Sequence, residues 1–181
     1  MTTLLSRRRA VLALAVTALV VAGAAACGTQ DPATSQSSPA GAAAGSGAQQ
    51  STEVTTIGGE KMKVPGDKPT ALFFFSVGCG ACVGGAKSLA EAGRGLSGKA
   101  NVLVVDMDPS ESPETIRGFL DYIKAPDLPA AIDTGAVLSQ RYKVAALSTL
   151  IVVDPAGQVT YRATDPGPDK IRTALETAGA R

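Results

Sequence analysis

The chain has 181 residues, with 17 Lys and Arg against 16 Asp and Glu, no histidine and three cysteines. The even charge balance excludes the basic footprint of a nucleic-acid binder, so no nucleic-acid partner is expected. Without histidine there is no Ser-His-Asp triad, no imidazole acid or base and no His-ligated metal site.

Arg7, Arg8 and Arg9 form a basic start, and residues 10–26 are almost wholly small and apolar, the layout of an export signal over residues 1–26. The run from Ser6 to Leu12 is similar to a twin-arginine signal, and a plain basic n-region fits it equally. The apolar run ends in Ala24-Ala25-Ala26-Cys27. Two kinds of processing suit this end. Lipidation of Cys27 would anchor the chain by lipid on the outer face of the cytoplasmic membrane, and A-x-A cleavage would release it as a secreted protein. The polar Ala/Gly/Ser/Gln/Pro stretch that follows favours the lipoprotein, because residues 27–52 have the composition of a flexible tether. Lipidation would also account for the odd thiol.

The folded domain is expected over residues 53–181. Residues 54–57 and 61–64 read as a small hairpin around Gly58-Gly59, closed off by a Pro-Gly-Asp-Lys-Pro break. The continuous apolar run at 71–76 suits a strand buried on both faces. It leads into Cys79-Gly80-Ala81-Cys82 and then a helix, firm between 81 and 92, with Val83, Ala86, Leu89 and Ala90 at helical spacing. Residues 101–106 read as a second buried strand. Ser112-Pro113-Glu114 reads as an N-cap, an N1 proline and an acidic first turn before a helix bearing Ile116, Phe119, Leu120 and Ile123. A short edge piece at 128–132 and a short helix at 135–142 follow. Then come a third apolar strand at 149–153, a turn at Asp154-Pro155-Ala156-Gly157, a return strand at 158–162 and a closing helix at 168–178. This order implies an α/β domain with a mixed central sheet and helices on both faces.

A CxxC pair at a strand-to-helix junction points to thiol–disulfide exchange. One thiolate must attack and a second must resolve the mixed disulfide. The helix N-terminus, with its unpaired N–H groups and dipole, stabilises the attacking thiolate below the free cysteine pKa of about 8.5. Cys79 is therefore the expected nucleophile and Cys82 the expected resolving thiol. Gly78, Gly80 and Ala81 keep the approach to the sulfurs unobstructed. No cofactor is needed. Other readings of the pair stand beside this one: a structural disulfide, a two-thiolate site for a soft ion such as Cu(I), or a peroxidatic cysteine with Ser76 three residues ahead of it. With two cysteines and no histidine, a resident metal site is not expected.

These residues resemble the thioredoxin-like lipoproteins of the TlpA/ResA disulfide-reductase group. The resemblance rests on Phe73-Phe74-Phe75 running into Cys79-x-x-Cys82, on Val104-Val105-Asp106, and on Tyr142-Lys143-Val144 leading to 149–154 and Gly157. It implies a thioredoxin-like fold, a redoxin-type reductase activity, protein disulfide substrates and a membrane electron-donor protein. Five residues depart from that pattern. Gly78 replaces an aromatic residue, Gly80-Ala81 replaces a proline-bearing dipeptide, and Phe73 stands where thioredoxins carry a buried acid. Ser148 stands where the family has a cis-proline beside the sulfurs. A cis bond before a residue other than proline costs about 3 kcal/mol, so the Leu147–Ser148 bond is either trans in a reshaped loop or cis at that cost. A serine hydroxyl there is placed to hydrogen-bond the Cys79 thiolate.

Overall fold

The computed structural model describes residues 50–181. The expected export signal, the expected tether up to residue 49 and Cys27 lie outside the described residues. No helix among the described residues is long and apolar enough to cross a membrane.

The centre of the domain is β3 (Thr70–Phe75), whose six residues are all buried. The uninterrupted apolarity of residues 71–75 follows from position, because a strand covered on both faces has no polar side to present. β4 (Asn101–Asp106) pairs with it in parallel on one side and β6 (Thr149–Val153) antiparallel on the other. The short β5 (Ala130–Ile132) extends the sheet in parallel beyond β4, and β7 (Val159–Thr164) returns antiparallel beyond β6, giving the order β5-β4-β3-β6-β7. β1 (Thr52–Thr55) and β2 (Lys61–Val64) form a separate antiparallel hairpin.

The period of two along β3 divides the core. Ala71, Phe73 and Phe75 face α1 (Cys82–Gly95), α2 (Pro113–Tyr122) and α4 (Pro168–Thr177), burying Leu89, Ile116, Ile171 and Leu175. Phe75 stacks on Phe119 of α2 with ring centroids 4.9 Å apart. Leu72 and Phe74 face the β1–β2 hairpin and α3 (Val137–Arg141) through Val54, Val64, Leu138 and Tyr142. The mixed sheet with helices on both faces is therefore the observed architecture, a thioredoxin-like fold.

Local chemistry explains most element ends. Ser112 caps α2 by accepting the Thr115 N–H at 3.2 Å, with Pro113 at the first helical position. α1 has no side-chain cap and begins at Cys82, so Cys79 lies in the turn before it. The short helix expected at 135–142 is broken in two. Gly135 and Ala136 both have positive φ, 73° and 57°, so a 3-10 turn (Thr134–Ala136) stands before α3 and is not continuous with it.

One close approach sets the height of α1 over the sheet. A Cβ on Gly85 would lie 2.4 Å from the Phe73 ring. Glycine costs a helix interior about 1 kcal/mol relative to alanine. Here it lets α1 pack directly onto β3, which carries Cys82 down over the C-terminal end of the sheet.

Candidate active site

The site forms where β3 runs out. After Phe75 the chain enters a turn in which the Cys79 N–H donates to the Ser76 carbonyl at 3.1 Å and the Cys82 N–H donates to the Cys79 carbonyl at 2.9 Å. Cys79 and Cys82 are joined in a disulfide, with Cα atoms 5.4 Å apart. Cys79 is half-buried while Cys82 is fully buried against the core. Only one sulfur of the pair can thus meet a partner. The amides of Gly80 and Ala81, at the mouth of α1, have no backbone acceptor among the described residues. They are the free donors from which a thiolate at Cys79 would draw stabilisation.

The structure brings together the residues singled out from the sequence. Gly78, Gly80 and Ala81 are exposed around Cys79, and a Cβ at either glycine would meet no atom within 4 Å. Ser148 is buried behind the disulfide. Its hydroxyl donates to Cys82 Sγ at 3.2 Å and stands 4.0 Å from Cys79 Sγ. In the disulfide form the serine is therefore engaged mainly with the buried sulfur. The Val64–Pro65 bond is the one cis peptide among the described residues, so Leu147–Ser148 is trans. The loop is reshaped instead: Ser148 sits at φ 60° and its carbonyl accepts the Asp165 N–H at 3.1 Å. A left-handed conformation is costly for most side chains, and the buried hydroxyl contact and the Asp165 bond hold it in place.

Opening the disulfide by attack on Cys79 expels Cys82 as a thiolate, and the Ser148 hydroxyl is its one side-chain donor among the described residues. A hydrogen bond to a charged group contributes about 1.5 kcal/mol or more, which corresponds to about tenfold in rate. Ser148→Ala is expected to slow reduction of the disulfide by dithiothreitol by about that factor while shifting the Cys79 thiol pKa less. Stopped-flow reduction and thiolate absorbance measure the two quantities. An unchanged opening rate would remove Ser148 from the chemistry.

Sequence reasoning missed an acidic pair beneath this turn. Asp106 stands at the end of β4 and is fully buried. Burial, followed by the neighbouring charge of Glu111, pushes its carboxyl up to about 7, against the opposing Asp108 amide bond. The available signal was alternation: two residues after Val104, Asp106 belongs on the face that Val104 shares with Phe75. Tyr142 packs in the core of the opposite face, and burial raises its phenol pKa. Among the described residues there is no group of three or more Cys, Asp or Glu able to hold a metal ion.

No family model matches the chain. It is 59% identical over 156 residues to a Streptomyces lividans protein described as mercury resistance operon ORF3, covering 84% of this chain and 82% of that one. Among solved structures, StoA from Bacillus subtilis superposes with a TM-score of 0.61 at 17% identity, over 69% of this chain and 96% of that one. MTB dsbF, in mixed oxidised and reduced forms, gives 0.62 at 17% identity, over 72% and 97%. The exposed lipoprotein thioredoxin Etrx1 from Streptococcus pneumoniae gives 0.61 at 18% identity, over 71% and 99%. These likenesses show the thioredoxin-like fold. The identity to the Streptomyces protein shows that the chain belongs to the family of mercury resistance operon ORF3.

Proposed function

We propose that the protein is an extracytoplasmic thiol–disulfide oxidoreductase, tethered through Cys27 to the outer face of the membrane and acting as a reductase of the TlpA/ResA kind. The observation that carries this reading is the asymmetry of the pair: Cys79 half-exposed before α1 and Cys82 fully buried, joined by a disulfide. In the reduced protein the Cys79 thiolate attacks one sulfur of a client protein disulfide and expels the other as a thiolate. Cys82, giving up its proton, attacks Cys79 Sγ, closes the Cys79–Cys82 disulfide and releases the second client sulfur. Two electrons pass to the client, and the released thiolates take up two protons. A membrane electron-donor protein then restores the dithiol by the same exchange in reverse.

A redox titration of the pair, read by mass spectrometry of alkylated thiols, tests both the activity and its direction. A midpoint near about −270 mV belongs to a reductant and one near about −120 mV to an oxidant. The expected result is the former. A pair that never cycles would sink the reading.

The relative's mercury resistance operon favours a second reading, in which the reduced pair takes a soft thiophilic cation. Two thiolates and, among the described residues, no third ligand suit an ion content with two sulfur donors, such as Hg(II) or Cu(I). Equilibrium dialysis of the reduced protein against Hg(II), with glutathione as competitor, separates this from disulfide exchange.

A further inference from the structure

The Asp106 carboxyl has an unequal set of partners. Oδ1 accepts the Asp108 N–H at 3.0 Å, while Oδ2 is buried with no N–H or O–H donor. An ionised carboxylate in that position would leave one oxygen desolvated and unpaired. The neighbouring group is another acid, Glu111, whose negative charge disfavours ionisation of Asp106. Glu111 is turned towards the redox turn, with both of its oxygens 3.0 Å from the Val77 amide nitrogen. Val77 lies two residues before Cys79, in the turn closed by the Cys79 N–H to Ser76 carbonyl bond.

We propose that Asp106 is a positioning residue of the redox turn: its carboxyl proton, carried on Oδ2, bridges to Glu111, and Glu111 in turn holds the Val77 amide in front of Cys79. The inference rests on the exchange reading above and names a part that reading does not use. The proton converts the orphaned Oδ2 into a donor and leaves a single negative charge on the pair. Its loss sets two carboxylates against each other, one of them buried, and the half-exposed Glu111 is the one free to move off Val77. The charged groups acting on Asp106 are Glu111 and Asp108, both from the turn after β4. Its strand neighbours Phe75 and Ile132 are uncharged. The Asp133 carboxylate is occupied by the Leu138 and Ser139 amides, at 2.8 and 2.9 Å. No cation among these neighbours compensates the second charge, so the clamp holds while the proton is present and releases near neutral pH. The turn that carries the nucleophile is thereby pH-sensitive without a histidine.

The Val77 amide resonance of the oxidised, 15N-labelled protein, followed from pH 5 to 9, tests this. The wild type is expected to show an inflection near neutral pH. Asp106→Asn keeps an N–H donor towards Glu111 and cannot titrate, so the inflection is lost. Glu111→Gln removes the repelling charge and moves the inflection to lower pH, which provides a test should the Asn variant fold poorly. A Val77 resonance without an inflection in the wild type, one that keeps it in Asp106→Asn, or one whose midpoint is unmoved in Glu111→Gln overturns the proposal. In the reduced protein, alkylation of Cys79 against pH should show the same extra inflection in the wild type and a single thiol titration in Asp106→Asn; identical profiles would also overturn it. The oxidised-state measurement involves no turnover. A pair that never exchanges disulfides would therefore sink the proposed function while leaving the clamp itself standing or falling on the Val77 result.

Discussion

Cys79→Ser is expected to abolish disulfide exchange down to the uncatalysed background, while Cys82→Ser is expected to trap the client. The two variants differ because the two sulfurs differ in access. Cys79 is half-exposed in an open turn, and Cys82 is fully buried at the first position of α1. Without Cys79 nothing reaches a client sulfur. Without Cys82 the first attack still proceeds and the mixed disulfide has no resolving thiol, so it accumulates. Mass spectrometry after incubation with a disulfide-bonded peptide should find the adduct on Cys82→Ser and none on Cys79→Ser. The reverse pattern would exchange the roles assigned here. The soft-cation reading makes a different forecast: both variants would lose a two-thiolate site to the same extent, and neither would form an adduct.

The second large effect concerns stability. Because the folded pKa of Asp106 lies near about 7, above the ordinary 3.8, the native protein retains a proton that the unfolded chain has released between those values. Stability should therefore fall as pH rises through this window, by about 1.4 kcal/mol per pH unit, and level off above pH 7. Glu53, Asp108 and Glu114 have lowered pKa values, the first through Lys61, the second through Ser110 and the third through its own backbone N–H and Ser112. Their small contributions run the other way and are lost as the pH drops through the acidic range. The cleanest interval is pH 5 to 7. Urea denaturation there should give a falling midpoint for the wild type and a nearly flat one for Asp106→Asn. Parallel slopes would mean that Asp106 ionises normally despite its burial.

The elements most legible in the sequence were those whose chemistry is local. The apolar run of β3 and the Ser112-Pro113-Glu114 start of α2 each carry their reason within a few residues. The 3-10 turn before α3 was less legible, because Ala136 adopts a left-handed conformation that its side chain does not advertise. At the site, spacing alone revealed the cysteine pair. The chain gives Glu111 and Val77 as residues 34 apart, and only folding sets one carboxylate on the other's amide. Ser148 was legible as a departure from a family pattern, but its preference for the Cys82 sulfur depends on the left-handed turn of its backbone. The buried acid that thioredoxins place on the strand before the cysteines is absent at Phe73. A different one, Asp106, occupies the end of the adjacent strand, where no motif marks it.

The open surroundings of Gly78 and Gly80 leave the redox turn unusually editable. Neither residue has a positive φ, and a side chain at either would project into empty space. Bulk, charge or a ring can thus be introduced beside the nucleophile with the scaffold left untouched. The electron affinity of the pair becomes a dial that can be turned one residue at a time, and natural drift has the same freedom.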